Sequence, residues 1–230
     1  MSPLFDLTET DFGNTCDLPP EFAGRSETSE TWKDRVTTFL QEMDIRASYP
    51  TRYLQLIHNA REQLHLPSPG EQLRIRTQQT INLISLILLI IDTHQQIDEL
   101  IIATYTLNRK ALDILHDLLT GGRITSLHLL IASSYTFRDR KYYQYLIDTS
   151  KTMQAAGHDI HLTFAWSHFK ITLARAGNDF YQFEGSMNYS ENNMAEQLIL
   201  ENSKKTYLYD RDFILKTILT QNNKGLQIIC

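Results

Sequence analysis

From Glu99 to Trp166 the chain switches between two apolar periods, and that alternation constrains the fold more than any other feature. Glu99 to Tyr105, ELIIATY, is a short isoleucine-rich run suited to a buried strand. Asn108 to Thr120, NRKALDILHDLLT, places apolar residues at 111, 112, 114, 115, 118 and 119, the stripe of an amphipathic helix, and Gly121-Gly122 stops it. Ser126 to Ala132, SLHLLIA, is a second strand, and Asp139 to Ala156 is a long helix closed by Gly157. Ile160 to Trp166, IHLTFAW, is a third strand. Strand, helix, strand, helix, strand in that order predicts an α/β domain with a mixed β-sheet flanked by helices.

The flanks set the predicted organisation. Residues 1 to about 28 have no sustained period and carry Pro19-Pro20, which reads as a tail. Helical spacing predicts one helix from about Thr28 to Met43 and another over RYLQLIHNAREQL. Pro67-Ser68-Pro69-Gly70 breaks the chain. The expected division is a tail and helical extension over 1–75 and an α/β domain over 76–230. Thr77 to Asp92 is predicted to be a buried helix. Its core, INLISLILLII, is well short of the roughly 20 apolar residues a membrane helix needs, so no stable membrane insertion is expected.

Composition narrows the partners. The net charge is -5 over 230 residues, against the broad positive field of proteins that coat nucleic acid. Any nucleic-acid contact is therefore expected to be local and salt-sensitive. The two cysteines, Cys16 and Cys230, lie near opposite ends with no nearby partner, and the N-terminus lacks a basic-then-apolar leader pattern. Both features point to a reducing, cytoplasmic setting. No His/Cys/carboxylate cluster resembles a metal site, and no cofactor is expected.

The chemistry concentrates between Ser167 and Asn188, SHFKITLARAGNDFYQFEGSMN. Alternation along a strand puts His168, Lys170 and Thr172 on one face and Phe169, Ile171 and Leu173 on the other. ARAGND reads as a turn, and FYQFEGSMN as the returning strand with Ser186 and Asn188 on one face. A hairpin would bring an imidazole, an ammonium, a hydroxyl and an amide together, a set that matches the charge and oxygens of a phosphate.

His168-x-Lys170 followed by Gly185-Ser186-x-Asn188 resembles the signature of the phospholipase D superfamily. Asn193-Met194-Ala195-Glu196 looks like the segment that follows that turn in the family's small single-motif nucleases. The resemblance covers roughly residues 77 to 225. It departs where the family carries an aspartate five residues after the lysine, since that position here is Arg175.

The resemblance implies a metal-independent phosphodiesterase, most readily a nuclease, with DNA ranked ahead of RNA. One histidine attacks phosphorus to give a phosphohistidine, and a second protonates the leaving oxygen and then activates water. His168, Lys170, Asn188 and Glu196 are the implied catalytic residues. Ser186 and Gly185 are the implied substrate contacts. Of eight histidines only His168 is followed by x-Lys, so the second motif is expected from a second copy across a two-fold axis. Glu196 would orient a histidine by accepting its other ring proton. A non-catalytic phosphate- or nucleic-acid-binding protein is the alternative, and a phospholipid-cleaving enzyme the third reading.

Overall fold

A computed structural model describes residues 65–77, 83–134, 139–189, 196–220 and 227–229. The expected N-terminal tail and helices, both cysteines, Arg138 and the Asn193–Ala195 segment lie outside the described residues. The elements are β1 (Gln72–Thr77), α1 (Leu83–His94), β2 (Ile97–Thr104), α2 (Arg109–Thr120), β3 (Ile124–Ala132), α3 (Arg140–Ala155), β4 (Asp159–Ala165), β5 (Ile171–Ala176), β6 (Asp179–Gly185), β7 (Glu196–Asn202), α4 (Lys204–Thr220) and β8 (Gln227–Ile229).

The strands form one eight-stranded sheet in the order β1-β7-β6-β5-β2-β3-β4-β8. β2, β3 and β4 run parallel, and every other neighbouring pair is antiparallel. The mixed α/β sheet expected from the apolar periods is therefore present. Its parallel centre is built from the three strands whose continuous apolar runs fit burial on both faces.

Helices cover both faces. Across the register Ile101 stands beside Leu173, and Ala103 beside Leu130. These four residues pack with Ala165 against Tyr207 and Ile214 of α4. The opposite face carries Leu100, Ile102 and Tyr181, and the His94 ring of α1 meets the Tyr181 hydroxyl at 2.9 Å. α1 is buried from Leu83 to Asp92, which explains its nearly unbroken apolar sequence. α2 buries the six positions its periodicity predicts, and the Asn108 side chain caps it by accepting from Ala111 N at 2.8 Å. Asp139 caps α3 in the same way through Tyr142 N. Tyr142 is buried, Tyr143 packs on Phe164 and the Tyr145 hydroxyl donates to Asp113, so these tyrosines seat the helix.

Some boundaries differ from the sequence expectation. Thr77 ends a strand, and the helix begins at Leu83. β1 crosses the expected 75/76 division and pairs with β7, so the sheet starts a few residues earlier. β4 stops at Ala165, and Trp166 is 78 % exposed rather than the last residue of a strand.

α4 is fastened to the sheet by charge as well as packing. Arg211 donates from Nε and Nη2 to the two Glu99 carboxylate oxygens at 2.7 and 2.8 Å, and the Tyr207 hydroxyl donates to Oε2 at 2.7 Å. Glu99 is only 9 % exposed. Arg211→Met is expected to destabilise the fold by about 3 kcal/mol, because it strands a buried carboxylate without its counter-charge. Urea unfolding measures the loss.

The same region makes stability fall with acid. Burial pushes the Glu99 carboxyl up, but the Arg211 and Tyr207 bonds outweigh it and hold the group below its ordinary value. Burial, then the neighbouring His161, lower His128, whose ring stacks on His161 with centroids 4.5 Å apart. Both folded-state values lie below the unfolded ones, so the unfolded chain binds more protons in each window and stability rises with pH. The His128 contribution is complete above about pH 6.5 and lost as pH falls through its lowered folded pKa. The Glu99 contribution is complete above about pH 4.3 and lost below that. His128→Phe is expected to remove the first step of the acid melting profile and keep the second.

Candidate active site

The hairpin predicted around the Gly177-Asn178 turn is β5–β6, and Gly177 adopts φ 59°, a conformation that favours glycine. It differs from the expected pattern at its outer end. His168 and Lys170 precede β5, and Thr172 does not point outward with them. Thr172 is 2 % exposed and its hydroxyl meets the Tyr189 hydroxyl at 2.6 Å. The physical reason is position: β5 is internal to a sheet covered on both faces, so both of its faces are buried.

His168 and Lys170 sit together near the C-terminal end of β2. Lys170 Nζ lies 3.2 Å from His168 Nδ1. An ammonium only donates, so Nδ1 accepts and the ring proton of the neutral imidazole is on Nε2. Tyr105, just beyond β2, packs its ring 5.0 Å from the exposed imidazole. The carboxyl ends of parallel strands are where open α/β sheets place ligand sites.

The Gly-Ser-x-Asn stretch returns beside this pair. Gly185 N donates to Lys170 O at 3.3 Å, so the two motifs meet through the backbone. Ser186 N donates to Gln197 O at 3.1 Å. The Ser186 hydroxyl donates to Glu196 and accepts from Gln197 N. Glu196 is the first residue of β7. Asn188 Oδ1 accepts from Thr104 Oγ1 at 3.5 Å. Tyr189 then clamps the segment to the β2–α2 loop, with Asn108 N donating to its carbonyl and its own N–H donating to Thr106 O. Burial drives the Tyr189 phenol far above its ordinary pKa and the Thr172 bond offsets less, so it stays a neutral hydrogen-bonding group.

Two hydrogen-bonded groups result, joined through the Lys170–Gly185 backbone. One is His168 with Lys170. The other is Ser186 with Glu196, and Asn188 lies at the β2 end. Within one chain His168 Nδ1 faces Lys170.

Arg175, where the family resemblance leads one to expect aspartate, is a supporting residue. Asp98 of β2 accepts from Arg175 Nη1 at 3.3 Å and from Gly177 N at 2.9 Å. The carboxylate that braces the hairpin turn therefore comes from a neighbouring strand. Asp179 serves the other side, accepting from Asn202 Nδ2 at 2.6 Å. Sequence reasoning did not single out Thr104, Tyr105 or Asp98. Their only sequence signal was position at the ends of a recognisable strand.

No family model matches the chain, and no curated protein matches it by sequence. Solved structures with some likeness include TrmBL2, an archaeal chromatin protein described with a novel mode of DNA binding, at 12 % identity and TM-score 0.41 over 81 % of this chain. Phosphatidylserine synthase of Haemophilus influenzae matches at 12 % identity and 0.42 over 62 %. Polyphosphate kinase of Porphyromonas gingivalis matches at 12 % and 0.45 over 77 %. This chain spans 64 %, 36 % and 30 % of those proteins respectively. At such scores the likenesses carry no argument about activity. No helix among the described residues is long and apolar enough to cross a membrane.

Proposed function

We propose that the chain is a metal-independent phosphodiesterase of the phospholipase D type, a nuclease working as a homodimer. The observation that carries this reading is the contact between His168 and Lys170, placed by the Gly185 bond against the Gly-Ser-x-Asn return.

A phosphate entering here draws the ammonium from Nδ1. That nitrogen then carries the ring proton and leaves the Nε2 lone pair for attack. The Nε2–P bond forms as the P–O bond to the leaving group breaks, and the second copy's histidine donates a proton to the departing oxygen. Water, deprotonated by that same histidine, attacks phosphorus and breaks the N–P bond. Lys170 stabilises charge on the transferring phosphoryl group, and Asn188 and Ser186 supply neutral hydrogen bonds. Glu196 of one copy would steady the imidazole of the histidine system.

The non-catalytic reading rests on a specific observation. Asn188 is turned to Thr104 and Ser186 to Glu196, so these side chains already have partners within the chain. The deciding experiment incubates the protein in EDTA with a p-nitrophenyl phosphodiester, single- and double-stranded DNA, RNA and phosphatidylcholine vesicles. Light scattering runs in parallel. The expected result is a dimer that cleaves the small diester and nucleic acid but not the vesicles. Absence of cleavage on every substrate supports the binding protein, and full activity from a strict monomer overturns the two-fold site.

A further inference from the structure

The two helices that follow the first parallel strands begin with paired cations. α2 opens with Arg109-Lys110 and α3 with Arg140-Lys141, and all four side chains are exposed. Neither helix has an acidic residue in its first turn. Cations there oppose the helix dipole, so helix stability does not account for them. Ion pairing does not account for them either. Arg175 and Arg211 each meet a carboxylate, Asp98 and Glu99, whereas no ion pair among the described residues engages Arg109, Arg140 or Lys141. The carboxylates on these segments are occupied, since Asp139 caps α3 and Asp113 accepts from the Tyr145 hydroxyl. A chain with a net charge of -5 thus gathers four cations at the starts of two neighbouring helices.

This basic rim is joined to the candidate site. β2 and β3 lead into α2 and α3, and β4 leads toward His168, so the helix starts and the histidine all lie at the carboxyl end of the parallel strands. They also share a face of the sheet. Ala165 and Leu173 pack against α4, so alternation puts Phe164, Lys170 and Thr172 on the other side, where Phe164 packs on Tyr143 of α3. Hydrogen bonds complete the connection. Thr172 meets the Tyr189 hydroxyl, and Asn108, beside Arg109, donates its backbone N–H to the Tyr189 carbonyl at 3.0 Å. The Arg109 guanidinium lies 4.8 Å from the centre of the Tyr145 ring, which ties the start of α2 to α3.

We propose that this rim is a docking surface for the backbone of a nucleic acid, with Arg109, Lys110, Arg140 and Lys141 as phosphate contacts beside His168. The inference rests on the proposed phosphodiesterase reading for what happens at His168, but it concerns binding, which is measured separately. Packed helices stand roughly 8–10 Å apart, so the two cation pairs together span more than a single phosphate. A nucleic-acid strand carries a charge about every 3.4 Å along its axis, so one that passes His168 and crosses the helix starts meets both pairs. Arg109 and Arg140 offer the forked donors that phosphate oxygens accept. The negative charge of the rest of the chain confines such contact to the rim and turns the bound strand toward the site.

The test uses the full-length protein with His168→Asn, so that substrate is not consumed. Binding of a fluorescein-labelled 12-nucleotide oligo-dT is followed by anisotropy over a series of salt concentrations. Arg140→Gln with Lys141→Gln should weaken binding roughly tenfold and reduce the slope of log K against log salt by about 1.4, near 0.7 for each lost phosphate contact. Arg109→Gln with Lys110→Gln should do the same. Arg140→Lys should keep the slope, because the charge stays. Lys151→Gln removes an exposed cation from the other end of α3 and should leave the slope where it is. Thermal melting checks that each variant is folded.

An unchanged slope in either glutamine pair overturns the docking surface, and so does a loss of equal size per charge in Lys151→Gln. Rim-dependent binding of phosphatidylglycerol vesicles, with no binding of the oligonucleotide, assigns the surface to a membrane and also overturns it. Rim-dependent oligonucleotide binding by a protein whose wild type cleaves nothing leaves the docking surface standing and removes the phosphodiesterase. Cleavage of the small diester with rim-independent oligonucleotide binding does the reverse.

Discussion

His168→Asn is expected to lower turnover of a p-nitrophenyl phosphodiester by well over 10⁴-fold, while the thermal midpoint stays where it is. Two losses coincide in that variant. Under the proposed mechanism it loses the nitrogen that would form the covalent bond and the group that would shuttle the proton for the second copy. General acid–base help alone is worth about 10²–10⁴-fold, and removal of the nucleophile adds to it. The fold has little stake in the residue. The imidazole is exposed, and its described contacts are Lys170 and the Tyr105 ring. Asparagine keeps a polar group of similar reach. A variant that retains activity within tenfold of wild type, in EDTA, would show that His168 is not the nucleophile.

Gly185→Ala is expected to destabilise the protein by about 2–3 kcal/mol, at the upper end of what an added methyl group costs in a packed structure. A Cβ at Gly185 would lie 2.1 Å from the Gln197 carbonyl oxygen and 3.1 Å from Leu198 Cα. Those are backbone atoms of a paired strand, so no side chain can rotate away. The strand must move instead, and the Gln197 carbonyl also accepts the Ser186 N–H. The substitution therefore loosens β6 from β7 and shifts Ser186 relative to Glu196. Ser186→Ala loses only side-chain hydrogen bonds, near 1 kcal/mol in net terms. Denaturant midpoints for the two variants give the comparison. A Gly185→Ala protein as stable as Ser186→Ala would mean that β7 yields easily at this point.

The parallel centre of the sheet was legible because its elements obey simple periods. ELIIATY, the 108–120 helix and SLHLLIA each bury what their apolar pattern says they bury. The hairpin was legible for a related reason, since Gly177-Asn178 marks the reversal and both arms alternate. β1 was missed although QLRIRT alternates cleanly. Its outward positions are arginines, and it follows a Pro-Gly break that reads as linker. α4 was missed because one of its sheet-facing positions is Arg211, whose partner Glu99 lies 112 residues away in sequence. No local period can announce a charge whose justification is that distant.

The site shows the same division. His168, Lys170, Gly185, Ser186 and Asn188 stand out as a spacing pattern. The resting hydrogen bonds do not, because they depend on which loop passes the end of β2. Thr104 and Tyr105 close the site there, and Asp98 braces the turn from the opposite end of the same strand. The Arg175 departure could be read only as a missing carboxylate. The compensating Asp98 becomes visible once β2 and β5 are neighbours.

The pairing of β1 with β7 has a consequence for how the protein is made. Gln72 and Glu201, which hydrogen-bond across that pair, are 129 residues apart. At a synthesis rate of about 5–20 residues per second, β1 waits roughly 6–26 s on the ribosome before its partner strand has been made. Throughout that interval its backbone donors and acceptors and the apolar side chains of Leu73 and Ile75 lack the neighbour that later covers them. An exposed strand edge recruits other strands, but charged residues along it discourage them. Arg74 and Arg76 therefore repel the like-charged β1 of a neighbouring nascent chain, protecting the segment until β7 pairs with it.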